Sequence, residues 1–303
     1  MERGINTRCL HLEETEGKTE HYGSLSYPIY QTATYAHAGV GKSTGYDYSR
    51  LQNPTREHLE KVVASLEGGI DAFALSSGMA AITLLMEIFK PGDHIIAEAD
   101  LYGGSVRLFD NVSKKNGYEF TYLNCSRDDI EGAIKENTKA VYIETPTNPM
   151  MNVSDISKIA EIAKRHGLYL IVDNTFLSPY FQNPLKLGAD IVIHSLHKTL
   201  PALTQTALLH INGSLASRKG VRDYLRMLQS SSPSYVLMSS IDSCIDMLEN
   251  RRKELFDPYV KMLEKMRGRL RQLKRLELVE TENFDRSKIC LLYTSDAADD
   301  MQC

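Results

Sequence analysis

Short apolar runs of four or five residues, each closed by a small or polar turn, recur through the first two thirds of the chain. Ala72 to Leu75, His94 to Ala97, Glu119 to Leu123, Ala140 to Ile143, Tyr169 to Val172 and Ile191 to Ile193 read as strands of a sheet covered on both faces. Between them apolar residues fall three or four apart. That spacing predicts helices over Thr55 to Leu66 (capped by Thr55, stopped by Gly68-Gly69), Met79 to Phe89, one entered through Tyr102-Gly103-Gly104-Ser105 and reaching about Lys115, Arg127 to Lys135 and Val153 to His166. Strand and helix in this cadence predict an α/β fold, a mainly parallel sheet between helices with right-handed crossovers.

Beyond residue 200 the pattern turns helical. One more strand is expected over Gln205 to Ile211, then helices Arg218 to Leu228, Tyr235 to Asn250 and Pro258 to Leu276. Asp257-Pro258 supplies a cap followed by proline, a good start for the last of them. Residues 1–55, rich in Gly, Tyr, Thr and Ser, read as an N-terminal arm, 56–250 as the large domain, and 251–303 as a helical remnant with an irregular tail. From Leu291 onward the helical pattern fails, as in a frayed end or foreign sequence.

Composition narrows the classes. The 303 residues suffice for a substantial core. With 35 Lys plus Arg against 39 Asp plus Glu and no long basic block, no nucleic-acid partner is expected. No apolar run approaches the ~18 residues that span a bilayer, so no membrane partner is expected either. Cys9, Cys125, Cys244, Cys290 and Cys303 are widely spaced and form no CxxC pair. They read as reduced thiols of a cytoplasmic protein, without a zinc site.

Candidate chemistry gathers where the apolar runs end. Ile191 to Ile193 empties into a turn carrying Ser195, His197 and Lys198, and Leu168 to Val172 ends in Asp173. A lysine just past a buried strand must be paired, neutralised or covalently used. A lysine and an acid at two such strand ends suit pyridoxal 5'-phosphate: the amine condenses with its aldehyde, and the carboxylate keeps the pyridine nitrogen protonated. Other groups predicted at that sheet edge each have a plainer alternative. Ser76-Ser77-Gly78-Met79 offers helix N-terminal amides to a phosphate, or is a tight turn. Tyr102 is a ring for stacking, or a core or surface tyrosine. Asn148, set among prolines, meets a ring oxygen or simply shapes a turn. Tyr48 and Arg50 offer a phenol and a guanidinium to a phosphate, or lie on a surface arm. Ser195 and His197 are close enough to Lys198 to serve the phosphate or cap the ring. Neither G-x-G-x-x-G after a strand nor G-x-x-x-x-G-K-[ST] occurs.

From about Thr7 to His194 the chain resembles the pyridoxal-phosphate enzymes of Cys/Met metabolism, the trans-sulfuration family of cystathionine γ-synthase, cystathionine lyases and methionine γ-lyase. The motifs are Tyr48-Ser49-Arg50 with Asn53-Pro54-Thr55, Ser76-Ser77-Gly78-Met79, Asp100-Leu101-Tyr102-Gly103-Gly104, Glu144-Thr145-Pro146-Thr147-Asn148-Pro149 and Val172-Asp173-Asn174-Thr175. The resemblance implies the aspartate aminotransferase fold (fold type I). It puts Gly78 and Met79 on the phosphate, Tyr102 on the ring, Asn148 at the ring oxygen and Asp173 at the pyridine nitrogen. Tyr48 and Arg50 would serve the phosphate of a neighbouring subunit, which implies a homodimer or homotetramer.

From about Ser195 to Ile289 the likeness shifts. Ser195-Leu196-His197-Lys198-Thr199-Leu200-Pro201 and Gln229-Ser230-Ser231-Ser232-Pro233-Ser234-Tyr235 resemble the major domain of the bacterial ornithine/lysine/arginine decarboxylases. Both families share the fold and place their lysine at this point, and the C-terminal domain of either is expected to be truncated here. The expectation is therefore C–S lyase or γ-synthase chemistry on an amino acid. A decarboxylase is the alternative, and a joined or incomplete chain that binds cofactor without turnover is the third reading.

Overall fold

The computed structural model describes residues 24, 26–177, 182–212, 218–229, 231–274, 276–278, 280, 287–289 and 291–293. Its centre is a seven-stranded sheet in the order β1-β7-β6-β5-β4-β2-β3. The strands are β1 (Asp71–Leu75), β2 (His94–Glu98), β3 (Glu119–Leu123), β4 (Thr138–Glu144), β5 (Tyr169–Asp173), β6 (Ile191–Ser195) and β7 (Ala207–Ile211). From β6 to β3 every pairing is parallel. β7 lies antiparallel between β1 and β6, so β1 again points the same way as β6. All the parallel strands therefore deliver their carboxyl ends to one edge, as an open α/β sheet does at a ligand cleft.

Helices α1 (Pro54–Glu67), α2 (Gly78–Met86), α3 (Gly103–Leu108), α4 (Ile156–His166), α5 (Arg218–Leu228) and α6 (Tyr235–Asn250) cover the sheet, and α7 (Arg252–Leu270) follows. One face packs Phe73, Leu85, Phe109, Ile171, Ile193 and Leu209 with Val221 and Leu225 of α5. The other packs Val141, Leu170 and Val192 with α4, and Ala72 and Leu208 with α1 and α6. Strands buried on both faces need no polar alternation, which is why they were continuous apolar runs.

Several sequence expectations are corrected. α1 begins at Pro54 with Asn53 as its cap, the Asn53 Oδ1 accepting the Arg56 N–H at 3.1 Å. Thr55 instead accepts the Tyr30 N–H at 2.8 Å. Over 127–135 only a short 3-10 turn forms, Glu131–Ala133, because Ile130 alone of that stretch is buried. β3 is an edge strand with no fully buried residue. α7 starts at Arg252 and runs through Pro258; the Arg251–Glu254 ion pair at 2.7 Å joins its first turn. Leu291–Tyr293 forms β9, antiparallel to β8 (Leu276–Leu278), where an irregular tail was expected. Residues 294–303 lie outside the described residues.

A buried ion network ties α5 to α1 and β1. Arg222 reaches Glu60 and Asp71, each at 3.0 Å, and its guanidinium lies over the Phe73 ring. Glu60 is fully buried, and burial raises its pKa although Arg56 and Arg222 oppose this. Removing one partner of such a group strands a charge in the core, which costs about 3–5 kcal/mol. Arg222→Ala is expected to lose about 3 kcal/mol of unfolding free energy in urea. A loss under about 0.5 kcal/mol, the size of an ordinary surface change, would remove the network as the anchor of α5.

Candidate active site

The site forms where β4, β5 and β6 end. Asp173 closes β5 and is buried. Two positions on, Thr175 donates its backbone N–H to Asp173 Oδ1 at 3.1 Å. The Thr175 hydroxyl oxygen accepts the Ser195 N–H at 3.1 Å, and its carbonyl accepts the Thr199 hydroxyl at 3.0 Å. One residue thus joins the acid to both ends of the turn that carries Lys198, a 3-10 turn over Leu196–Lys198. Burial raises the Asp173 pKa, while Thr175 and the charge of Lys198 lower it. The predicted acid and amine therefore act on each other electrostatically.

Tyr102 touches both Lys198 and Glu144 at the end of β4. The Lys198 ammonium sits over its ring, 4.3 Å from the centroid. A Cβ at Gly104 would fall 2.4 Å from the Tyr102 ring and 3.1 Å from the Met79 sulfur. Only a glycine allows the ring to fold back here. Tyr102 donates its backbone N–H to Glu144 Oε2 at 2.7 Å. Burial first, and the Asp173 charge second, push the Glu144 carboxyl up to about 8.

That value has a consequence for stability. Glu144 holds its proton more tightly folded than unfolded, so its contribution is complete below about 4.5 and is lost as pH rises through about 8. With cofactor removed, the melting temperature is expected to fall between pH 6 and pH 9, and Glu144→Gln to shrink that fall. An identical slope in the variant would show that Glu144 is ionised throughout.

The start of α2 reaches the same sheet edge. Ser77 caps α2, its hydroxyl accepting the Ala80 N–H at 3.0 Å. A Cβ on Gly78 would stand 3.1 Å from the Ser195 Cβ, so the start of α2 packs against Ser195 at Gly78. His197 is half-buried, with Nδ1 lacking a hydrogen-bond partner among the described residues. Asn148 is half-buried in a loop held to the Tyr102 loop through Asp100, which accepts the Thr147 hydroxyl and the Met150 N–H. Tyr48 and Arg50 are not brought in. Arg50 stacks on Tyr48 and donates to the Arg226 carbonyl at 3.1 Å, beside α5.

These residues fit pyridoxal phosphate: a buried carboxylate raised by burial, an amine over a flat ring, and a glycine turn at a helix start. Glu144, Thr175 and Thr199 were missed from sequence. Glu144 had the same signal as Asp173, an acid ending a buried strand.

The described family Cys/Met metabolism PLP-dependent enzyme matches residues 6–206. The chain belongs to this family. Pyridoxal phosphate is the cofactor of this PLP-dependent family. A second family, the Orn/Lys/Arg decarboxylase major domain, matches residues 122–296. Among curated relatives, cystathionine gamma-synthase/O-acetylhomoserine (thiol)-lyase of Bacillus subtilis is 55% identical over 179 residues, 59% of this chain and 48% of that protein. Cystathionine beta-lyase of Lactococcus lactis subsp. cremoris is 49% identical over 197 residues, 65% of this chain and 51% of that one. The chain thus spans about half the length of these relatives. The crystal structure of cystathionine gamma-lyase from Lactobacillus plantarum complexed with L-serine superposes with a TM-score of 0.76 at 33% identity, covering 91% of this chain and 71% of that one. No described helix is long and apolar enough to cross a membrane.

Proposed function

We propose that this PLP-family chain makes or breaks a carbon–sulfur bond in a sulfur amino acid, as a cystathionine lyase or γ-synthase of trans-sulfuration. The observation that carries the reading is Lys198 standing 4.3 Å over the Tyr102 ring while Thr175 ties its turn to the buried Asp173. Bound there, the cofactor supplies a protonated ring that draws off electron density from the substrate Cα. Tyr102 is its stacking platform and Asp173 the partner of its pyridine nitrogen. Asn148 donates to the ring oxygen, and His197 covers the ring. Ser77, Gly78, Met79 and Ser195 take the phosphate. Lys198 is the amine that would hold the aldehyde, and its amine would serve as general base for the Cα proton.

Tyr48 and Arg50 complete the phosphate site of a second copy, which makes the working enzyme a homodimer or homotetramer. Arg50 donating to the Arg226 carbonyl of α5 in its own chain supports that assignment. Buried free thiols at Cys125 and Cys244 suit a cytoplasmic setting.

A decarboxylase is the second reading, favoured by the match of residues 122–296 around Lys198. The two differ in which Cα bond the protein holds perpendicular to the ring. Incubation with cystathionine or cysteine is expected to release an oxoacid and ammonia. Carbon dioxide and a diamine from lysine, ornithine or arginine would replace this reading with the second. Neither product from a cofactor-loaded chain would remove both.

A further inference from the structure

Glu67, His194 and His210 form a buried cluster that the cofactor cleft does not use. In the β6–β7 ladder Val192 faces His210, and His194 faces Leu208. Strand alternation therefore turns both histidines to one face, opposite Ile191, Ile193 and Leu209. Their rings meet edge to face, 5.2 Å between centroids. Glu67, the last residue of α1, meets them there, and the three offer ligand atoms that all lie within 4.8 Å of one another.

Burial leaves these groups 4%, 1% and 0% exposed. Glu67 Oε2 and both ring nitrogens of His210 lack a hydrogen-bond partner among the described residues, and the His194 ring makes no well-formed bond, with the Asn174 backbone as its nearest partner. So many unpaired polar atoms in one buried spot are a costly arrangement unless something fills it. A single water makes about three bonds and would leave part of the set unmet. The exposed Lys186 and Glu249 are the charges that act on Glu67 from the solvent side.

We propose that Glu67, His194 and His210 ligate a divalent transition-metal ion of the zinc class. Two imidazoles and one carboxylate are a known zinc donor set with one position left open, and imidazole favours zinc, copper, nickel or iron over magnesium or calcium. A tetrahedral ion with bonds of ~2.1 Å sets its ligand atoms about 3.4 Å apart, so separations of up to 4.8 Å close in by at most about 1.4 Å on binding. The ion clamps the end of α1 to β6 and β7. His194 immediately precedes Ser195 and the Lys198 turn, so the clamp braces the strand that aims the catalytic lysine. This holds whichever reaction the lysine serves.

The test uses the full cofactor-loaded chain, stripped of metal by a chelator and titrated with Co²⁺. About one equivalent is expected, with the intense d–d bands of four-coordinate cobalt, bleached when Zn²⁺ displaces it. Glu67→Gln and His210→Gln are each expected to weaken binding about tenfold or more. X-ray absorption at the zinc edge of the unsubstituted protein counts its imidazole ligands, and so decides the matter if a variant does not fold. The proposal is overturned by the absence of stoichiometric binding, by affinity unchanged in His210→Gln, or by a zinc shell without two imidazoles.

Discussion

Lys198→Ala is expected to lose the yellow absorbance that travels with the chain and to turn over substrate at least about a thousandfold more slowly than the parent. Two losses combine. The amine that holds the aldehyde is gone, and so is the base that moves the Cα proton, a role worth about 10²–10⁴ in rate. Most of the rest of the site survives the change. Tyr102 keeps its hydrogen bond to Glu144, and Asp173 keeps the one from Thr175. Gly78 stays packed against Ser195. Cofactor should therefore still enter, without being retained covalently. Borohydride reduction followed by peptide mass spectrometry reads this directly: the parent carries the cofactor mass on the Lys198 peptide, and the variant carries none. A reduced adduct elsewhere on the parent, or a band that persists in the variant, would mean that another amine does the work.

Asp173 was legible from sequence because of burial, whereas Lys198, which the structure leaves exposed, stood out only by its place just past a buried strand. Ile191 to Ile193 and Leu170 to Val172 are fully buried, and an uninterrupted apolar run marks such strands. A buried acid where the run stops then stands out, since desolvating it has to be answered by chemistry or by a partner; the exposed Lys198 meets no such demand. Direction along the sheet was not legible in the same way. Ala207 to Ile211 is as apolar as its parallel neighbours, and nothing in that run distinguishes an antiparallel strand.

Hydrogen-bonded supports were harder still. Thr175 and Thr199 differ from any other turn threonine only through partners distant in sequence. Helix starts failed for a related reason. Asn53-Pro54 and Asp257-Pro258 look alike as caps, yet only the first opens a helix. Tyr48 and Arg50 illustrate the remaining limit. Their motif was visible, but the single chain turns Arg50 to the Arg226 carbonyl. A role for them at the cofactor site of a second copy is what the proposed function assigns, and a single chain does not show it.

Asp173→Asn should separate catalysis from stability, and in opposite directions. In the folded chain burial disfavours the Asp173 carboxylate, against the pull of Thr175 and Lys198. Asparagine has nearly the same shape and still accepts the Thr175 N–H, but it carries no charge to desolvate. The cofactor-free variant is therefore expected to melt at or above the parent temperature at neutral pH. The effect follows the sign of the pKa shift: a group that ionises less readily folded than unfolded costs stability above its unfolded value. Turnover moves the other way. On the proposed reading Asp173 would hold the pyridine nitrogen protonated, and removing one partner of a buried charge pair costs about 3–5 kcal/mol, or ~10²–10⁴ in rate. Melting curves with cofactor removed, set beside the steady-state rate with cofactor added, give both numbers. A variant that is slower only because it is less stable would take Asp173 out of the chemistry and leave it a structural acid. A variant as fast as the parent would show that the ring is held by some other group.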